Sequence, residues 1–316
     1  MGLYDDVNMM WTQNQTEFRK LLIDWIEGLE KKAEKLHEDR RKFHSWSPLE
    51  VYVSLSDIKS GNFSLRFQGQ EVAKLRLDRK GKTVLVLGRD HVQNNGRWRF
   101  NRLGTGAYAW DGPEAKEMRR HFKDPSVTGN KPRVGEHGIE CSIIRQMRAR
   151  KAKFGGTFKW IKPVMLENCP FQMPLPISAS RGKPKATNGH IDILARRGVG
   201  KTAKLSLWEL KDVGKLPSTA IRQAYIYALT LLLMLREDQR WWSVFGRGGE
   251  IPASLEIEAV VAVSQDMEGK LLKIWQDGRA DLRCDGLGNG NDKIKFYGAY
   301  YTNGAKAMTM NIEPLS

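Results

Sequence analysis

From Thr16 to about Lys42, the apolar positions Phe18, Leu21, Leu22, Trp25, Ile26, Leu29, Ala33 and Leu36 recur at helical spacing, with acids and bases opposite. This predicts one amphipathic helix ending before Ser47-Pro48. The pattern then shifts to short alternating runs, Glu50 to Leu55, Phe63 to Phe67, Glu71 to Leu77 and Thr83 to Leu87, separated by Gly61, Gly69 and Gly81. A small antiparallel sheet is expected. Trp98, Phe100, Tyr108 and Trp110 could stack on bases, but packing that sheet is the preferred reading. A short basic helix, Pro113 to Phe122, precedes the Pro- and Gly-containing stretch Asp124 to Gly135, which reads as a linker.

Beyond it the rhythm changes. A helix from about Glu136 to Lys151 is followed by strand patterns at Phe158 to Leu166, His190 to Ala195 and Lys204 to Leu210. A long helix follows, Ser218 to Arg236, then a strand, Leu255 to Ser264. In the long helix Ala224, Ala228, Leu231, Leu232 and Leu235 form the expected buried stripe, and Ile274 to Pro314 is expected to add peripheral strands. The order α-β-β-β-α-β predicts an α/β fold with a helix-flanked mixed sheet. Two domains are expected: residues 1–125, an N-terminal α+β accessory domain, and residues 126–316, which carry the mixed sheet.

At 316 residues, 41% apolar and 28% charged, the chain has the composition of a folded protein and not of a disordered or disulfide-scaffolded one. Its longest apolar run, Ala224 to Leu235, is too short to span a bilayer, and no basic-then-apolar leader opens the chain, so no membrane partner and a cytoplasmic location are expected. Cys141, Cys169 and Cys284 lack zinc spacing and read as free thiols. The 52 Lys+Arg against 36 Asp+Glu give a net +16, the footprint of a protein that meets a polyanion. Residues 141–222 hold 17 of these bases and only four acids, so most of the excess is local.

Those four acids are Glu167, Asp192, Glu209 and Asp212. Asp192 and Glu209 interrupt apolar strand patterns, where an unpaired carboxylate is costly to bury. The strand period puts Glu209 and Lys211 on one face, roughly 6 to 7 Å apart along the chain. Two carboxylates on neighbouring strands, an ammonium beside them and a basic surround suit metal-assisted phosphodiester cleavage. Taken singly, an Asp or a Glu-x-Lys tripeptide is more often a structural ion pair.

Gly189-His190-Ile191-Asp192, Glu209-Leu210-Lys211 and Gln223-Ala224-Tyr225-Ile226-Tyr227 together resemble the PD-(D/E)XK nuclease superfamily, in its RecB-like branch, over residues 136–265. The resemblance implies a restriction-endonuclease-like αβββαβ core. It implies that Asp192, Glu209 and the Leu210 carbonyl bind Mg²⁺ or Mn²⁺, and that Lys211 assists the attacking water. It further implies that Gln223 and Tyr227, four apart on a helix, orient Lys211 or touch phosphate. Glu140, a better match than Glu136, would be the glutamate of the preceding helix, although an acid stabilised by the helix dipole is an equal reading. No proline stands just before Asp192, and His190, two positions before it, reads as a structural histidine or a substrate contact. Arg196, Arg197, Lys201 and Arg222 are the candidate nucleic-acid contacts.

Ala195 to Thr202 superficially resembles a phosphate-binding loop, but its first glycine is replaced and a strand follows, so a basic hairpin turn is expected. Gly286 to Gly290 reads as a mobile loop, and no histidine spacing or Gly-x-Ser-x-Gly elbow supports zinc or serine hydrolysis. The expected function is Mg²⁺-dependent hydrolysis of DNA, duplex ahead of single strands, probed as an endonuclease of phage defence or repair. The alternatives are a non-catalytic DNA-binding or assembly protein of the same fold, and a nuclease for RNA or branched DNA. A homodimer or a partner protein is compatible with either, and by analogy residues 1–125 would bind DNA or mediate assembly.

Overall fold

The computed structural model describes residues 2–43, 48–54, 62–78, 80, 82–93, 100–124, 126, 135–149, 154, 158, 160–167, 169–198, 202–246, 248–303 and 308–315. The chain is mixed α/β and divides into two compact units. One comprises 27–141 and 165–171, the other 1–26, 142–164 and 172–316. This differs from the expected split at 125/126: the first residues belong with the C-terminal unit. The boundary crosses helices and a strand, and most of the expected linker lies outside the described residues.

Two helices open the chain, α1 (Leu3–Gln13) and α2 (Gln15–Phe43), where one was expected. Leu3, Val7 and Trp11 bury the inner stripe of α1, and Phe18, Leu22, Trp25 and Ile26 that of early α2. In the 27–141 unit, β1 (Glu50–Ser54), β2 (Phe63–Phe67), β3 (Gln70–Leu77), β4 (Thr83–Leu87) and β5 (Gly106–Ala109) pair antiparallel in sequence order. Helix α3 (Arg89–Gln93) and α4 (Pro113–Lys123) follow β4 and β5. Proline opens α4 after Gly112, its missing N–H costing nothing in the first turn. Phe100 and Trp110 are buried, as the packing reading requires, Tyr108 is only half-buried with its hydroxyl on the Gly104 carbonyl, and Trp98 lies outside the described residues. Helix α5 (Glu136–Arg148) contributes residues to both units.

In the second unit, β6 (Lys162–Pro163) opens a six-stranded mixed sheet. The expected strand from Phe158 is instead β6 and β7 (Met165–Leu166), of which β7, with the first residues of the strand that follows it, belongs to the 27–141 and 165–171 unit. Next come β8 (Cys169–Leu175), the hairpin of β9 (Ser178–Ser180) and β10 (Lys183–Lys185), and β11 (Gly189–Ile191). None but β11 was legible in the sequence, because prolines 170, 174, 176 and 184 punctuate the segment. β12 (Ile193–Arg197) and β13 (Lys204–Leu210) form an antiparallel pair with Ile193 opposite Trp208. Helix α6 (Ala220–Glu237) then crosses over to β14 (Glu256–Ser264), which lies parallel to β13, after α7 (Arg240–Gly246).

Helix α8 (Glu268–Gly278) precedes β15 (Lys293–Asn303) and β16 (Met308–Pro314), and the sheet order is β16-β15-β14-β13-β12-β6. β15 is parallel to β14 and flanked on both sides, so of the strands expected to be peripheral only β16 is an edge. Strand β13 is buried on both faces, and α6, packed on β13 and β14, buries Ala224, Ala228, Leu231, Leu232 and Leu235. Gly286 to Gly290 is a tight turn and not the expected mobile loop. Leu287 is fully buried, its N–H donates to the Asp292 carbonyl at 3.0 Å, and a Cβ at Gly288 would strike Leu232. Asp292, fully buried, accepts from Arg236 Nε at 2.9 Å and from the Leu255 N–H at 2.7 Å.

The three cysteines are free thiols. Among the described residues, no helix is long and apolar enough to cross a membrane.

Candidate active site

Asp192 stands between β11 and β12, in the single residue that separates the two strands. One step beyond the last registered pair it comes level with Glu209, and its Oδ2 accepts a hydrogen bond from the Leu210 N–H at 2.7 Å. A residue in a strand turns its N–H and C=O to the same side, so the Leu210 carbonyl also faces Asp192. The ladder runs one residue past β13, with the Lys211 N–H donating to the Ala262 carbonyl at 3.0 Å. That extension keeps Lys211 in strand geometry, two residues from Glu209 and on its face.

Glu209 and Lys211 are 3% and 8% exposed, so both charges are desolvated. Lys211 Nζ donates to Glu209 Oε1 at 2.5 Å and lies 3.4 Å from Gln223 Oε1. Gln223 and Tyr227, one turn apart on α6, face the strand ends together: the Tyr227 hydroxyl is hydrogen-bonded to the Gln223 side chain and to the Ala179 main chain. Burial, then the Glu209 charge, raises the Tyr227 pKa above the ordinary value of 10.0, so the hydroxyl is protonated at neutral pH.

Gly189 has a steric reason. A Cβ there would lie 2.9 Å from Tyr227 Cε1, 2.7 Å from the Ile177 carbonyl oxygen and 3.0 Å from Ser178 Cα. Its neighbour His190 is exposed, and lost hydration lowers its pKa from 6.5.

The sequence-derived set therefore divides. Asp192, Glu209, Leu210, Lys211, Gln223 and Tyr227 converge in one unit. Glu140 lies in the other unit, where it is 3% exposed, 3.8 Å from Arg66 and 3.7 Å from His137. Its carboxylate has strand and helix partners of its own. Arg196 is 6% exposed on β12, between β13 and the short edge strand β6, so it is buried and not presented to solvent, which corrects its reading as a nucleic-acid contact.

Arg197 is likewise committed: its guanidinium pairs with fully buried Glu258 and lies 4.6 Å from the centre of the Phe158 ring. Arg222 donates to the Gly182 carbonyl at 3.2 Å and is 3.7 Å from Asp281, and Lys201 lies outside the described residues. The segment 195–202 has no loop-to-helix setting, because β13 follows.

Sequence reasoning missed Tyr301, whose hydroxyl donates to the Lys211 carbonyl at 2.7 Å from β15. No local motif marks it. Only the parallel register, Ser264 beside Tyr301, brings it there. Among the described residues no group of three or more His, Cys, Asp or Glu side chains could hold a metal. The oxygen set here is two carboxylates and a main-chain carbonyl. No family model, curated protein or solved structure matches the chain.

Proposed function

We propose that this protein is a metal-dependent nuclease that hydrolyses phosphodiester bonds of DNA, on a restriction-endonuclease-like core. What supports the reading is the convergence of three separate sequence elements: Asp192 level with Glu209, Lys211 between Glu209 and Gln223, and Tyr227 bonded to Gln223. Asp192, Glu209 and the Leu210 carbonyl are all oxygen donors, which suits a hard cation such as Mg²⁺ or Mn²⁺ and not zinc. Bound there, such an ion would polarise the phosphoryl group and make bound water more acidic. Lys211, fixed by Glu209 and Gln223, orients the attacking water, and Tyr227, protonated at neutral pH, is a donor for a phosphate oxygen.

One observation favours a second reading, a DNA-binding protein without catalysis. Lys211 neutralises Glu209, and Asp192 caps the Leu210 amide, so the cluster is satisfied internally. Incubating wild type and Lys211→Ala with linear and covalently closed plasmid in Mg²⁺, Mn²⁺ or EDTA decides between them. Metal-dependent cutting by wild type alone is expected. Retardation of DNA by both proteins with no product would favour the second reading.

A further inference from the structure

Of the cations that sequence reasoning assigned to the substrate, the described ones, Arg196, Arg197 and Arg222, are buried or paired, yet residues 176–188 carry Arg181, Lys183 and Lys185 and no acid. All three are exposed. Several surface bases of this unit are matched: Lys204, Lys293 and Lys295 share Glu256, Lys215 meets Asp212, and Arg240 meets Asp238. Exposed Lys162, Lys270, Lys273 and Arg279 are not matched among the described residues, but they do not share one short hairpin. Among the described residues, Arg181, Lys183 and Lys185 form no ion pair.

The hairpin is fixed against the candidate active site. Ser180 pairs with Lys183, so Arg181 and Gly182 are the two turn residues, both left-handed at φ 51° and 71°. Asparagine suits the first position of such a turn better than arginine, and strained positions of this kind gather at functional sites. A Cβ on Gly182 would lie 3.0 Å from Thr219 Cβ, at the start of α6, and Arg222 holds the Gly182 carbonyl. One turn further along, Gln223 and Tyr227 reach the site, and Tyr227 bonds Ala179 of the same hairpin. The turn, the helix and Lys211 thus form one connected scaffold.

We infer that the β9–β10 hairpin is the backbone clamp of this site, with Arg181, Lys183 and Lys185 contacting phosphates that flank the bond to be cut. The inference rests on the nuclease reading for its substrate, a nucleic-acid strand. Three exposed cations hold phosphates without reading bases, so the clamp gives affinity and register but no sequence preference.

The test is anisotropy of a labelled DNA duplex in EDTA over a salt series, with Mg²⁺ cleavage measured in parallel. The proteins compared are wild type, Arg181→Ser/Lys183→Ser/Lys185→Ser, and a control of equal charge change at exposed positions on and just after α8, Lys270→Ser/Lys273→Ser/Arg279→Ser. At about 0.9 per lost phosphate contact, the hairpin variant should lower the slope of log K against log salt by about 2.7. Its KM for DNA should rise about tenfold or more, its kcat at saturation should hold, and the control should match wild type.

Arg181→Asn alone, better suited to a left-handed turn, should raise the urea midpoint while weakening binding, and Arg181→Lys should retain binding. A hairpin variant that binds like wild type, or a control that loses as much, overturns the clamp whatever the cleavage result. A wild type that binds no duplex overturns both readings. Hairpin-dependent binding without metal-dependent cutting keeps the clamp and overturns only the catalysis.

Discussion

Glu256 begins β14 at a point where the parallel register sets Lys293 beside it and Lys295 two residues on, on the same face; Lys204 comes level from β13. The three ammonium groups lie 2.5, 3.2 and 3.0 Å from its oxygens for Lys204, Lys293 and Lys295. Burial works against ionisation, but the hydrogen bonds from Lys204, Lys295 and Lys293 outweigh it and hold the carboxyl at about 2, from an ordinary 4.5. At about 1.36 kcal/mol per pH unit, that difference sets a ceiling of about 3.4 kcal/mol. The carboxylate is 11% exposed, but the lysines are 39% to 46% exposed, so solvent and salt screen the network. A contribution of about 1 to 2 kcal/mol is the working figure.

A folded-state pKa below the unfolded one gives stability that is complete above about 4.5 and is lost as pH falls toward about 2. Urea unfolding of wild type and Glu256→Gln, followed by tryptophan fluorescence, should therefore differ by that amount at pH 7. The gap should narrow between pH 4.5 and 2.5 and should shrink in 1 M NaCl. A gap that stays constant from pH 7 to pH 3 would refute the reasoning, because the charge on Glu256 would then contribute nothing.

Leu231→Ala on α6, where the side chain is fully buried, should cost about 2 to 5 kcal/mol, measured by the same denaturation. An unchanged midpoint would mean the helix is not packed as described. Gly189→Ala brings a methyl within 2.9 Å of Tyr227 and 2.7 Å of a main-chain carbonyl, so it should destabilise by about 1 to 3 kcal/mol and cut activity more than it reduces DNA binding. Wild-type cleavage in a folded Gly189→Ala protein would remove Tyr227 from the site.

What the sequence made legible follows the strength of its local signals. Strand β13 was read at its observed limits because Leu205, Leu207 and Leu210 frame it, and α6 was read within two residues from its apolar stripe. The cluster of Asp192, Glu209, Lys211, Gln223 and Tyr227 was legible because each lies within, or one residue beyond, an element whose period fixes its face. Arg196 and Arg197 misled for the opposite reason: a basic doublet looks like surface until the neighbouring strands β6 and β13 are in place on either side. The hairpin was missed because two-residue turns are recognised by Asn-Gly or Asp-Gly, and here the turn is Arg-Gly. Glu140 lies in the other unit, and a unit boundary inside α5 cannot be read from periodicity.

Helix α1 packs on α6 and β10, which lie far along the chain from it. During synthesis these first residues leave the ribosome long before either partner exists. The 27–141 and 165–171 unit has all its residues once position 171 has emerged, whereas α1 gains β10 only after residue 185 and the whole of α6 only after residue 237, so its buried face, Leu3, Val7 and Trp11, is completed late. Order of translation and order of assembly are therefore inverted for this helix. A nascent chain paused between those two points would present the apolar stripe of α1 to chaperones.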